Sequence, residues 1–142
     1  ERGGGRLLLT YVFHGTLAGV LLPEPGVRPL WRHTCCELFV ARPHDPAYRE
    51  FNFAPSGDWA GYAFSSYRQG EAVETQDPQI AVRAEDDRLE LGCAVAAEPG
   101  PLRLGLSAVI EEADGRLSYW ALRHAPGKPD FHHREAFALE LG

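Results

Sequence analysis

Residues 31–68, WRHTCCELFVARPHDPAYREFNFAPSGDWAGYAFSSYR, decide how this chain is read. CCELFVA is an apolar run interrupted by one acid, Glu37. YREFNF alternates strictly, with Arg49, Phe51 and Phe53 on one side and Tyr48, Glu50 and Asn52 on the other, the period of a β-strand. WAGYAFSSY follows, rich in the aromatic residues that strands favour. The connections ARPHDPA and PSGD carry Pro, Gly and Asp where antiparallel strands need a turn. The stretch therefore predicts three consecutive antiparallel strands.

Register converts those strands into chemistry. A tight PSGD hairpin pairing Phe53 with Ala60 sets Phe51 opposite Tyr62 and puts Phe53 and Phe64 on the same apolar side. The other face then carries Tyr48, Glu50 and Asn52 opposite Gly61, Ala63 and Ser65, with Trp59 at its end. If the PHDP connection pairs Val40 with Arg49, Glu37 lies beside Asn52 and Phe39 beside Glu50. Small residues opposite polar ones leave a hollow, and convergent polar groups with an aromatic wall make it a small-molecule site. A slip of one residue would turn every side chain to the opposite face.

Outward from this block, the same pattern repeats. Residues 1–6, ERGGGR, read as a tail. LLLTYVFHGTLAGVLLP reads as a strand, a turn near His14–Thr16 and a second strand. PEPGVRP is a proline-rich loop. After Arg68 comes a polar connection and a short strand, QIAVRAE. RLELGCAVA and LRLGLSAVI alternate as half-buried strands, ADGR is a hairpin turn, and LSYWALRH returns. HAPGKPDFHHREAF is an irregular loop before a last short strand, FALELG. Eight to ten short strands with close turn signals and little helical periodicity predict an all-β, antiparallel β-sandwich of immunoglobulin-like or jelly-roll type, with residues 1–142 as one domain.

Composition narrows the function classes. The chain has 142 residues, enough for one sizeable core, with 44% hydrophobic and 24% charged residues. A net charge of −6, with no basic cluster, argues against a nucleic-acid partner. No apolar run approaches the ~20 residues of a membrane-spanning helix, so no membrane partner is expected. Cys35, Cys36 and Cys93 lie in apolar strand-like runs and read as buried free thiols in a reducing, cytoplasmic compartment. The chain lacks methionine, so its first residue is not expected to be a translational start, and a removed leader stays open.

Several groups of residues carry possible chemistry. Glu37 and Glu50 offer a carboxylate pair, for general acid and base work or for accepting hydrogen bonds from hydroxyls. The structural alternative is pairing with Arg32, Arg49 or Arg68, because a buried carboxylate is expensive alone. Trp31, Trp59 and Trp120 are stacking platforms or core residues. The loop PGKPDFHHRE gathers Lys128, Asp130, His132, His133 and Arg134. Asp130 and His132 have metal-ligand spacing, but no third ligand follows, so no metal is expected. No nucleophile elbow or glycine-rich phosphate loop is present, and no catalytic residue is assigned.

LWRHTCCELFV, YREFNFAPSGDWAGYAFSSYR and DGRLSYWALRHAPGKPDFHH together resemble the bacterial DOMON-like proteins, which are grouped with type 9 carbohydrate-binding modules and haem-binding DOMON domains. The resemblance runs from about Leu7 to Leu141 and implies a sandwich with a ligand pocket. From the type 9 modules it implies a non-catalytic carbohydrate-binding domain, with Trp59 and Trp120 sandwiching a sugar and Glu37, Asn52 and Arg68 holding its hydroxyls. Glu50, His124, Asp130 and His132 complete the candidate binding set. From the cytochrome-type domains it offers haem as an alternative. With no methionine, that ligation would need a His–His pair drawn from His33, His44, His124 and His132. A small enzyme using Glu37 and Glu50 is a further alternative. The expected partner is a carbohydrate or other small molecule, with no obligatory cofactor.

Overall fold

A computed structural model describes residues 2–142. It is an all-β sandwich of two antiparallel sheets. The strands are β1 (Arg2–Gly3), β2 (Arg6–His14), β3 (Cys35–Ala41), β4 (Tyr48–Phe53), β5 (Trp59–Ser66), β6 (Gln69–Val73), β7 (Ala81–Ala84), β8 (Arg88–Ala96), β9 (Leu102–Glu111), β10 (Leu117–Ala121) and β11 (Leu139–Leu141). The smaller sheet runs β1-β2-β8-β7. The larger runs β10-β9-β3-β4-β5-β6, with β11 continuing the β9 edge beyond β10.

Alternation places the core. Leu7 and Leu9 of β2 and Leu91, Cys93 and Val95 of β8 face inward from the small sheet. Cys36, Leu38, Phe51, Phe53, Leu102 and Leu104 face them from the large one. The large sheet also buries its outer face. There Cys35, Phe39, Tyr48 and Val109 lie beneath Phe131 and Phe137 of the segment that follows β10. Phe137 stacks on Phe39 at 5.6 Å. Gly105, across from Phe39 on β9, makes room for it, since a Cβ there would stand 3.0 Å from the Phe137 ring. The carboxy-terminal segment thus roofs part of a sheet face that an ordinary sandwich would leave to water.

Three expectations are corrected here. Residues 1–6 are not a tail over their described part. Arg2 and Gly3 pair with Leu7 and Arg6, and the Arg2 guanidinium donates to the carbonyls of Glu98, Gly100 and Gly142. LAGVLL forms no strand, only a bridge from Val20 to Glu112, and Leu21 and Leu22 stay exposed. Conversely QGEAV, read as a polar connection, is β6, paired to β5 through the tight Tyr67–Arg68 turn. An exposed edge strand needs no apolar alternation, because neither face enters a core. Among the described residues no helix is long and apolar enough to cross a membrane.

Candidate functional site

The β3–β4 register is as expected, with Glu37 beside Asn52 and Phe39 beside Glu50. The β4–β5 register is not, for Phe53 pairs with Trp59 instead of Ala60. The cause is the turn. Ala54 and Asp58 close it through a 2.9 Å backbone hydrogen bond, leaving a three-residue Pro55–Ser56–Gly57 loop with Gly57 left-handed at φ 93°, a connection suited to antiparallel strands. Every β5 side chain is therefore on the face opposite to that expected. Tyr62 and Phe64 stand across from Glu50 and Tyr48 on the outer face, while Trp59, Gly61 and Ala63 turn inward.

The outer face of the large sheet holds a cleft of about 390 Å³, within the ~300–1,000 Å³ range of small-ligand sites. Its floor carries Glu37 and Glu50, and its walls Tyr62, Phe64, Tyr119 and Phe131. Trp31 and Arg32 stand at its mouth on a short 3-10 turn, Leu30–Arg32, anchored by buried Leu30. Ser107 and Asn52 lie opposite Glu37 on the neighbouring strands and share its sheet face, buried beside the floor and outside the cleft's lining. Asn52 is fully buried, and neither atom of its amide nor Ser107 Oγ makes a hydrogen bond of good geometry among the described residues, although the Asn52 amide is near enough to Glu50 to favour its charged form. Such groups are rare in folded proteins because each costs about 1–3 kcal/mol.

The two acids are 3% and 4% exposed, and among the described residues neither pairs with an Arg or Lys. Glu37 Oε2 accepts a weak bond from the Cys35 thiol, at 3.7 Å, and its carboxyl is also a hydrogen-bonding partner of the Glu50 carboxyl. Burial pushes the Glu37 carboxyl far above the usual carboxylate range, and the Glu50 charge adds to it. Burial raises Glu50 to about 7, against the opposing pull of Asn52, Arg68 and Glu37. Two carboxyls in low dielectric without a counter-ion cannot both ionise cheaply.

His132 closes the floor from the roof segment. The Arg68 backbone N–H donates to Tyr48 Oη at 2.9 Å, which frees the Tyr48 hydroxyl proton for His132 Nδ1 at 2.8 Å. With Nδ1 accepting, a neutral His132 carries its proton on Nε2, 3.4 Å from Glu50 Oε1. Burial and the Arg68 charge lower His132 to about 4, so this contact is no ion pair at neutral pH. Asp130 holds the assembly in place. It accepts from Arg68 Nη2 at 2.9 Å, from the Tyr67 hydroxyl and from the His132 N–H at 3.1 Å. Partial burial pushes Asp130 up, yet those bonds outweigh it and leave its carboxyl below the usual range. Arg68 itself sits in the left-handed region, φ 55°, an uncommon conformation for a non-glycine residue.

Of the residues singled out from sequence, Glu37, Glu50, Arg68 and His132 line this one cleft, Asn52 lies beside Glu37 on the same face, and Asp130 braces Arg68. The tryptophan pair does not converge. Trp59 packs against the inter-sheet core. Trp120, 60% exposed, lies in an apolar groove at the edge between the sheets, with Leu8, Leu122 and Leu139. Alternation along β10 sends Trp120 to one side and Tyr119 into the cleft. His124 is exposed, 6.1 Å from the Phe131 ring, and does not line the cleft. Tyr62 and Phe64 were missed through the register slip. Trp31 was singled out as a platform but not placed in the site, and Arg32, Tyr119 and Phe131 carried no local signal. The histidines considered for haem are dispersed. His33 pairs with Glu111 at 2.9 Å, His44 lies in the β3–β4 loop, and only His132 lines the cleft. Among the described residues no three His, Cys, Asp or Glu side chains are grouped to hold a metal ion.

Fold and cleft define a class: a two-sheet sandwich whose larger sheet carries a roofed, aromatic-walled concavity on its outer face. No family model matches the chain, and no curated protein matches it. Among solved structures it is similar to a "putative carbohydrate-binding protein" from Bacteroides uniformis, with a TM-score of 0.61 at 14% identity, over 93% of this chain and 71% of that one. At that identity the likeness shows the shared fold.

Proposed function

We propose that this chain is a single-domain, non-catalytic binding module for a carbohydrate or similar polyhydroxylated small molecule, held in the cleft of the large sheet. The observation that carries the reading is the floor. Glu37 and Glu50 are buried carboxyls with no Arg or Lys partner among the described residues, and they form the floor beneath aromatic walls. Sugar hydroxyls can donate to and accept from such carboxyls, and sugar C–H faces pack on aromatic rings. The similarity in fold to a protein described as carbohydrate-binding, and the sequence resemblance to DOMON-like proteins and type 9 modules, agree with it. The platforms in this reading are Trp31 and Tyr119 instead of Trp59 and Trp120.

Isothermal titration against a panel of mono- and oligosaccharides tests the proposal. Binding to at least one sugar, weakened roughly tenfold or more by Trp31→Ala or Glu37→Gln with the fold intact, is the expected result. Absence of heat with every sugar, or binding unaffected by both substitutions, would refute it.

A further inference from the structure

The cleft is chemically lopsided in a way that a neutral sugar does not explain. Glu37 and Glu50 stand together on the floor, more than nine-tenths buried, and the nearby basic groups are already engaged or peripheral. Arg68 is held by Asp130 at 2.9 Å and by the Tyr67 hydroxyl. Arg32 lies over the Trp31 ring at the mouth, 4.9 Å from its centroid. His132, the one nitrogen base facing Glu50, is uncharged at neutral pH. Around this floor stand the rings of Tyr62, Phe64, Tyr119 and Phe131, apolar surface for the C–H groups of a sugar.

Carboxylates below and aromatic rings around are complementary to a sugar that carries a positive charge with several N–H donors. A primary ammonium has three donors and one charge, and the four oxygens of two carboxyls can take all three. We infer that the ligand of this cleft is an amino sugar, its unacetylated ammonium seated between Glu37 and Glu50 and its ring against the aromatic walls. This rests on the carbohydrate reading above and names the sugar class within it. A cation between the two acids offsets the repulsion and burial that raise both carboxyls, so ammonium binding and carboxyl ionisation reinforce one another.

Three β-1,4-linked tetrasaccharides that differ at C2 test the inference: the amine (chitosan tetramer), the acetamide (chitin tetramer) and the hydroxyl (cellotetraose). Titration calorimetry at pH 7 on the intact chain should find the amine bound roughly tenfold or more tighter than the other two. In Glu50→Gln and in Glu37→Gln, each checked by circular dichroism, that preference should shrink to about threefold or less, the amine losing more affinity than either neutral sugar. Equal or tighter binding of cellotetraose or the acetamide would overturn the ammonium assignment and leave the carbohydrate reading standing. Amine preference unchanged in both variants would overturn the assignment to Glu37 and Glu50. Silence from all three would overturn this inference, and silence across the wider sugar panel would remove the carbohydrate reading beneath it.

Discussion

Replacing Glu50 by Gln makes a quantitative test of the buried acid. The substitution keeps the shape, exchanges one carboxyl oxygen for an amide NH2 and removes the ionisation. In the fold the Glu50 carboxyl is raised from 4.5 to about 7, chiefly by burial. A group raised on folding contributes its full stabilisation below its unfolded value and loses it as pH climbs through the folded one. At ~1.36 kcal/mol per unit, the penalty for Glu50 is about 1 kcal/mol at pH 5 and approaches ~3 kcal/mol at pH 8. Gln carries no such penalty. Its stability relative to the parent protein should therefore improve by about 2 kcal/mol between those pH values. His132 works in the opposite direction, since it is lowered to about 4. Its contribution is present above its ordinary value of 6.5 and fades as pH falls through 4. Both proteins keep His132, so that contribution drops out of the difference. Urea denaturation of parent and variant at pH 5, 6, 7 and 8, without ligand, supplies the measurement. A difference that does not change with pH, or one that moves in favour of Glu50 as pH rises, would refute the account of the cleft floor.

Trp59→Ala should cost about 2–3 kcal/mol of stability with little change in sugar affinity, since that indole packs on the inter-sheet core; Trp31→Ala should do the reverse, and melting curves beside titrations separate the two. Phe137 is fully buried on Phe39, so Phe137→Ala should cost about 3–5 kcal/mol and loosen the roof, visible as faster amide exchange across residues 122–138. Gly105→Ala drives a methyl to 3.0 Å from the Phe137 ring and should destabilise by about 1–3 kcal/mol, read as a lower denaturation midpoint. Asp130→Asn breaks an ion pair whose Arg68 side chain is 52% exposed, so its stability cost should stay within about 1 kcal/mol while ligand affinity falls, because His132 and Arg68 lose their brace.

What was legible without coordinates was local. Alternation in YREFNF and RLELGCAVA, and turn chemistry at PSGD and ADGR, specified strands and their approximate limits, because side-chain period and turn preference belong to a few consecutive residues. The β3–β4 pairing followed from the same signals and put Glu37, Glu50 and Asn52 on one face. The β5 face did not follow, since it turned on whether PSGD closes around three residues or more, and one residue of difference exchanges Tyr62 and Phe64 for Gly61 and Ala63. Nor did the cleft's other parts follow. Trp31, Tyr119 and His132 come from positions far apart along the chain and meet only because β9 lies beside β3 and the segment after β10 folds back over their common face. That meeting is set by packing of Phe131 and Phe137 against Phe39, a long-range contact with no signature in the spacing of either segment. The residues carried the chemistry of the site on their own; tertiary packing chose which aromatic rings surround it.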